Sequence, residues 1–151
     1  MVFAPCWNRG LARQRFTGKA AIPTFSREEM LATKLRALLQ RNKGRDLFDL
    51  DHALTVFDGL DTARIIACFR LYLEKAETTI SRAEAQQRMF QKLANPTFFT
   101  DMRPLLATDR AKTLTDETLK TTFVRVMKEL IDRIPGDEWA KAREMRERFG
   151  V

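Results

Sequence analysis

The feature that most constrains the fold of this chain is the spacing of its apolar residues, which recur every three or four positions. The clearest example runs from Ser26 to Leu54, where two leucine-rich segments flank a short polar break at residues 42–44. Such spacing lines one face of a helix with apolar side chains, whereas a strand would alternate every second residue. The sequence contains no convincing strand pattern, no membrane-spanning apolar run and no glycine-rich phosphate loop. We therefore expect an all-α helical bundle.

The predicted helix ends follow from residues with known positional preferences. Ser26 and Glu29 have the spacing of a capping box, which predicts a helix that begins after Ser26. The polar break predicts its end, with Asn42 or Gly44 in the left-handed conformation that is common at helix C-termini. A second helix is then expected from Arg45 onward. Further helices are predicted over residues 62–75, after Ser81, from Asp116 to Ile134, and from Asp137 to Arg148.

Four charged residues lie on the first two predicted helices in a regular arrangement. Lys34 and Arg41 are roughly two turns apart, so they share a face and lie about 10 Å apart along the axis. Asp46 and Asp49 are three residues apart, on one side of the next helix. If both apolar stripes face a shared core, the helices pack as an antiparallel or steeply crossed pair that brings Lys34 or Arg41 near Asp46 or Asp49. On spacing alone, such charges are more often a solvated surface with a few ion pairs than a site.

A longer pattern runs through the same stretch. A helix of the form E-x-hydrophobic-A-x-K-x-x-A is followed by an arginine and then by R-D-x-x-D. The matching residues are Glu29, Ala32, Lys34, Ala37, Arg41, Arg45, Asp46 and Asp49. In order, spacing and residue type, this stretch resembles the C-terminal motifs of the AbiEii/AbiGii family, the nucleotidyltransferase toxins of type IV toxin–antitoxin systems.

The resemblance implies a fold, an activity and roles for these residues. The fold would be the helical C-terminal half of a polymerase-β-like nucleotidyltransferase toxin. Complete members use Mg²⁺ and a nucleotide triphosphate to transfer a nucleoside monophosphate to an acceptor, in some cases the 3′ end of tRNA, and their partner is an antitoxin protein. The candidate catalytic residues are then Lys34, Asp46 and Asp49, and the candidate phosphate-binding residues are Lys34, Arg41 and Arg45.

Each candidate residue has a chemical reason for its role in such an enzyme. The compact ammonium group of Lys34 would contact the triphosphate and offset the negative charge that develops during transfer. Arg41 and Arg45 could add bidentate contacts to phosphate oxygens. Asp46 or Asp49 would position Lys34 or Arg41, or reach the nucleotide, and the sequence does not decide between these roles.

The sequence departs from the family pattern at the metal site. In the family, a Gly-Ser motif is followed by Asp-x-Asp, whose carboxylates hold the Mg²⁺ ions. This chain has no Gly-Ser dipeptide, and its one Asp-x-Asp, Asp49-Leu50-Asp51, lies in a predicted helix. Successive helical side chains diverge by about 100° per residue, so these two carboxylates cannot replace the missing motif. We therefore expect only the C-terminal part of such a toxin, with no metal ligands, no tight binding of Mg²⁺ or nucleotide, and no activity alone.

The charge balance keeps a different class of function open. The 151 residues include 27 Lys and Arg against 20 Asp and Glu, for a net charge of +7. This excess favours contact with nucleic acid or other polyanions. The alternative is therefore a basic helical module that binds RNA or DNA without catalysis, or one that docks on an antitoxin. Arg82, Arg88 and Lys92 are interpreted as a solvated face rather than as a phosphate-binding surface.

Two remaining features bear on domain organisation and location. Residues 1–25 contain several basic residues and no acidic residue, and we expect a disordered basic arm there, followed by one helical domain over residues 26–151. The two cysteines, Cys6 and Cys68, lie far apart, and no secretory signal precedes them. This combination indicates reduced thiols and a cytoplasmic protein without a membrane partner.

Overall fold

The computed structural model describes residues 18, 19, 21, 23–100 and 115–151, and over these residues it contains six α-helices, one 3₁₀ turn and no strand. The helices are α1 Arg27–Gln40, α2 Gly44–Val56, α3 Thr62–Lys75, α4 Arg82–Ala94, α5 Asp116–Glu129 and α6 Ala142–Phe149. The predicted all-α bundle is confirmed. The expected arm over residues 1–25 lies almost wholly outside the described residues and stays a prediction. Among the described residues, no helix has both the length and the hydrophobicity that crossing a bilayer requires.

Side chains cap free backbone N–H groups at the starts of α1, α3 and α4. The Ser26 hydroxyl accepts a hydrogen bond from the backbone N–H of Glu29 at 3.2 Å, at the start of α1. Asp61 and Ser81 cap α3 and α4 in the same way. The side chain of Glu29 does not complete the capping box, because its carboxylate accepts a hydrogen bond from the Tyr72 hydroxyl at 2.6 Å. That bond joins α1 to α3.

The core is built around α1, which packs against α2, α3 and α4. Leu35 and Leu38 of α1 are completely buried, and fully burying such a side chain contributes about 1.5–3 kcal/mol. At the other end of the bundle, Phe90 of α4 packs against the rings of Phe123 and Phe149. The core therefore combines the buried leucines of α1 with an aromatic cluster between α4, α5 and α6.

Three helix-end predictions are wrong. Helix α1 ends at Arg41 in extended backbone, with φ −127° and ψ 163°, rather than in a left-handed residue, and Gly44 is the first residue of α2. Helix α5 ends at Glu129, and a 3₁₀ turn follows over Ile131–Arg133.

The last helix begins at Ala142 rather than at Asp137. Upstream of it, the backbone N–H of Trp139 donates to the side-chain oxygen of Gln86 at 2.8 Å. This bond to α4 holds the segment in a non-helical course until α6 begins.

Candidate functional site

The charged residues of α1 and α2 form two ion pairs across the interface between these helices. The Lys34 ammonium donates to Asp49 at 2.7 Å. Arg41 donates to both carboxylate oxygens of Asp46, at 2.9 Å through Nε and 3.0 Å through Nη2. Because the later cation on α1 pairs with the earlier carboxylate on α2, the two helices run antiparallel. The prediction that Lys34 or Arg41 lies near Asp46 or Asp49 is confirmed, and both cations are paired.

The two pairs differ in burial. The Asp46 side chain is 0% exposed, whereas its partner Arg41 is 49% exposed. Arg41 is held by a planar two-point contact, and the hydrogen bond and charge of Asp46 raise the pKa of the guanidinium above its ordinary value. The Lys34 and Asp49 side chains are 38% and 49% exposed, and solvent-exposed pairs of this kind contribute at most about 1 kcal/mol. The inner pair therefore fixes the geometry of the helix junction.

Several N–H donors of the cations at this junction have no acceptor among the described residues. A lysine ammonium has three N–H donors and an arginine guanidinium has five. Asp49 takes one donor of Lys34, Asp46 takes two of Arg41, and no other described residue accepts from either cationic group. Arg45 is exposed, and its side chain bonds to no residue in the described part of the chain. Exposed cations with free donors are what an anionic ligand requires.

Two cations of α4 donate hydrogen bonds to the C-terminal end of α1. Lys92 donates to the backbone oxygen of Arg41 at 2.7 Å, and Arg88 donates to the backbone oxygen of Leu39 at 3.0 Å. Both cations meet the C-terminus of α1, where free carbonyls carry partial negative charge. Because these bonds supply donors for backbone carbonyls at the end of α1, the helix can end without a residue in the left-handed conformation.

Lys92 corrects the interpretation of this face of α4 as solvated, because it is only 8% exposed. Burial lowers the pKa of its ammonium, the charge of Arg88 lowers it further, and the charge of Asp46 partly offsets both. The ammonium also lies 5.4 Å from the centre of the Phe98 ring, a cation–π distance. One signal could have found it: Lys92 follows Ala85 and Met89 at helical spacing, on the border of the apolar stripe. We call Lys34, Arg41, Asp46, Asp49 and Lys92 the junction cluster.

The carboxylates of Asp49-Leu50-Asp51 point to different helices, as the sequence predicted. Asp49 faces α1, whereas Asp51 accepts hydrogen bonds from Arg125 at 2.9 Å and Thr122 at 3.2 Å, both on α5. Within the described residues, no three His, Cys, Asp or Glu side chains come together in a way that could hold a metal ion. The described residues therefore do not fit the Mg²⁺ that nucleotidyl transfer uses, and the carboxylates of Asp46, Asp49 and Asp51 are each bonded to a cation.

A second polar cluster, which the sequence did not predict, lies at the other end of α4. The completely buried amide of Gln86 donates to Asp132 at 2.7 Å and accepts from the backbone of Trp139 at 2.8 Å. Arg146 of α6 donates to both oxygens of Asp132, at 3.0 and 2.9 Å. We call Gln86, Asp132, Trp139 and Arg146 the terminal cluster, and it joins α4, the 3₁₀ turn and α6.

Comparison with known proteins agrees with the resemblance of the α1–α2 stretch. No curated protein and no solved structure matches the chain significantly. A protein-family model matches over residues 7–146, which is most of the chain, and its description is nucleotidyl transferase AbiEii toxin, Type IV TA system. The chain therefore belongs to the AbiEii family of nucleotidyltransferase toxins.

Proposed function

We propose that the junction cluster is the phosphate-binding part of a nucleotidyltransferase site, and that it binds the triphosphate of the incoming nucleotide. The observation that carries the proposal is the set of free, exposed donors on Lys34 and Arg41, two cations that a pair of carboxylates holds in place. Such fixed donors stabilise negative charge without having to reorganise when a phosphoryl group is transferred. Arg45, which is exposed at the start of α2, adds a third cation on the same helix pair.

The two carboxylates have positioning roles in this proposal. Asp46 has no exposed surface, and both of its oxygens accept from Arg41, so it orients the guanidinium rather than touching the nucleotide. Asp49 orients Lys34 by the 2.7 Å hydrogen bond and leaves two of its donors free. Of the candidate catalytic residues, Lys34 is therefore the one that contacts the substrate.

Family membership suggests the wider reaction. The proposed activity is transfer of a nucleoside monophosphate to a nucleic-acid acceptor such as tRNA, in the cytoplasm and under control of an antitoxin protein. Metal-holding carboxylates must complete the site, and the described residues do not provide them. We therefore propose that this chain does not catalyse transfer alone.

A transfer assay tests this proposal. Labelled nucleotide, Mg²⁺, all four triphosphates and total tRNA are incubated with the chain alone, and we expect no labelled tRNA. Activity should appear when the part of a complete family member that carries Gly-Ser…Asp-x-Asp is added, either fused or in trans. Lys34→Ala should then lower the rate on the order of a hundredfold, as expected for loss of one fixed donor. Lys75→Ala, which removes an exposed lysine from α3, is the matched control.

Two outcomes would contradict the proposal. Robust transfer by the 151-residue chain alone would show that it carries a complete site. If the complemented enzyme keeps its activity after Lys34→Ala, the Lys34–Asp49 pair is only a surface ion pair without a role in transfer.

The net charge of +7 supports one alternative, a basic module that binds RNA without catalysis. If phosphate contacts dominate, binding of RNA should be weak and should fall steeply as salt rises. Salt-insensitive and sequence-selective binding of RNA would favour this alternative, because base contacts and not phosphate contacts would then be responsible.

A further inference from the structure

A narrow groove runs between α1 and α2, and it begins at the Lys34–Asp49 pair. Its volume is about 260 Å³. Leu31 and Ala53 line it as buried side chains, 2% and 6% exposed, whereas Met30 is 42% exposed. Leu31 and Ala53 are therefore buried beneath the groove, Met30 supplies exposed apolar surface beside them, and the groove leads away from the cationic end of the helix pair.

Polar groups are unevenly distributed along the groove. The Lys34–Asp49 pair lies at one end, and His52, which is exposed and is the only histidine of the chain, lies one turn further along α2. Beyond it, the lining comes from Val56, which is 54% exposed, and from Phe57, whose ring centre lies 5.4 Å from the Arg27 guanidinium. The groove thus suits a ligand with an anionic group at one end and a flat apolar body at the other.

The size of the groove selects among such ligands. Pockets for drug-sized molecules usually measure about 300–1,000 Å³, so this groove accepts a single ring system with little to spare. A helix from a protein partner would need a longer groove that takes side chains over two or more turns. We propose that the groove binds the nucleobase of the nucleotide whose phosphates contact Lys34. This inference rests on the proposed function and adds the place where the base lies.

The chemistry of the lining also predicts how the base is recognised. The faces of all four bases are apolar enough to stack against methyl, thioether and ring groups, and such stacking is tolerant of sequence. Only His52 and Asp49 offer polar atoms to the base edge. The groove should therefore hold the base firmly in place while discriminating weakly between the four nucleotides.

Binding of two anions to the intact chain separates the base from the phosphates. Adenosine triphosphate and inorganic tripolyphosphate are titrated at equal ionic strength and followed by nuclear magnetic resonance. We expect adenosine triphosphate to bind at least about fivefold more tightly, the lower end of what base stacking contributes. Because the chain has one histidine, its imidazole resonance reports on the groove, and it should shift with adenosine triphosphate and not with tripolyphosphate.

A matched pair of variants tests whether the groove is responsible. Ala53→Phe fills it, and this variant should bind adenosine triphosphate no more tightly than tripolyphosphate. Ala67→Phe places the same side chain at an exposed position of α3 and should keep the wild-type preference. If Ala53→Phe does not fold, the titration of the wild-type chain is the test. A His52 resonance that does not shift when adenosine triphosphate is added overturns the inference.

The remaining outcomes separate this inference from the proposed function. If Lys34→Ala weakens tripolyphosphate binding but adenosine triphosphate has no advantage in the wild-type chain, only the inference fails. If Lys34→Ala leaves tripolyphosphate binding unchanged, the proposed function fails and the inference fails with it. If Ala53→Phe instead converts a dimer to a monomer in sedimentation, the groove is a protein contact and the inference is overturned.

Discussion

The junction cluster and the terminal cluster contain similar side chains, and they differ in the N–H donors that have no acceptor in the part of the chain that the structure describes. Each contains an Arg–Asp pair with a shortest distance of 2.9 Å, and each receives a buried polar side chain from α4. In the terminal cluster that side chain is Gln86, and both ends of its amide are bonded. In the junction cluster it is Lys92, which adds a third cation to two carboxylates.

The number of exposed cations with spare N–H donors differs between the two clusters, and this difference supports the functions that we propose for them. One donor of the terminal cluster, the Nε of Arg146, has no partner in the described part of the chain, and it is buried away from solvent. The spare donors of the junction cluster, on Lys34 and Arg41, belong to side chains that are 38% and 49% exposed. The Arg146 side chain is itself 37% exposed, so exposure alone does not separate the two clusters. The junction cluster differs because it presents two such cations, Lys34 and Arg41, on one helix pair, and this favours an anionic ligand there. Four predictions test this distinction.

The largest effect is expected within the junction cluster, where burial should separate Asp46 from Asp49. Asp46→Ala removes both acceptors of Arg41 and the negative charge near buried Lys92, so it should lower the free energy of unfolding by about 2–3 kcal/mol. Asp49→Ala removes an exposed pair and should cost less than about 1 kcal/mol. Urea denaturation measures both. Equal losses would show that burial of Asp46 has no energetic meaning.

The next prediction concerns the terminal cluster. Gln86→Leu leaves the backbone N–H of Trp139 and one oxygen of Asp132 without this partner, which should lower the free energy of unfolding by about 1–2 kcal/mol. Gln87→Leu, at the exposed neighbouring position, is the matched control and should be nearly neutral. Tripolyphosphate should bind both variants as it binds the wild-type chain. Weakened binding in Gln86→Leu alone would assign the terminal cluster a part in the ligand site.

A smaller effect is expected from the pH dependence of Lys92. Its pKa in the folded protein lies below 10.5, its ordinary value, mainly because of burial. Between these two values the unfolded chain binds more protons, so this residue makes the folded state more stable as pH rises through that interval. The wild-type chain should therefore gain stability relative to Lys92→Met as pH rises toward about 10.5. A constant difference across the alkaline range would contradict the burial of a charged ammonium, and Lys75→Met is the exposed control.

The smallest effect uses Tyr72, the only tyrosine of the chain, to report on α1. The hydrogen bond to Glu29, with burial and the charges of Glu29 and Cys68, raises its pKa above 10.0. A raised tyrosine pKa contributes stability below pH 10.0 that is lost as pH rises through the folded-state value. Glu29→Ala should return the pKa toward 10.0 in a tyrosinate absorbance titration.

The same titration sharpens the first prediction. If Asp46→Ala disturbs only the junction cluster, the raised pKa of Tyr72 should be unchanged in that variant, because the Tyr72–Glu29 hydrogen bond lies at the other end of α1. A pKa that falls in Asp46→Ala would mean that the whole helix has shifted.

Local chemistry in the sequence was sufficient to predict the helices and much of the site. The caps Ser26, Asp61 and Ser81 act within three residues of the groups that they bond, so their spacing is visible in the sequence. The pairing of Lys34 and Arg41 with Asp46 and Asp49 was also predictable, because two short helices joined by a tight break have few ways to share a core.

Two of the three wrong helix ends arise where a bond from a distant residue replaces a local cap. Asn42 or Gly44 was expected to end α1, but Lys92 and Arg88 from α4 take its last carbonyls. Asp137 was expected to cap the last helix, but Gln86 holds the segment before it. In both cases, a polar residue of α4, Lys92 or Gln86, occupies a position of the apolar stripe. The sequence does not show its distant hydrogen-bond partner, so its role could not be predicted.

The bonds from α4 to the end of α1 also determine when the cationic face can form. They join residues 49 and 51 positions apart in the chain, from Arg88 to Leu39 and from Lys92 to Arg41. Contacts of such separation must first overcome the entropy of closing the intervening loop, so they form later than local helix turns. During synthesis, α1 and α2 can become helical as soon as they emerge, but the backbone that holds Arg41 is fixed only after α4 has been made and has docked. A nascent chain therefore acquires the geometry that we propose for phosphate binding only after the chain has been made as far as α4.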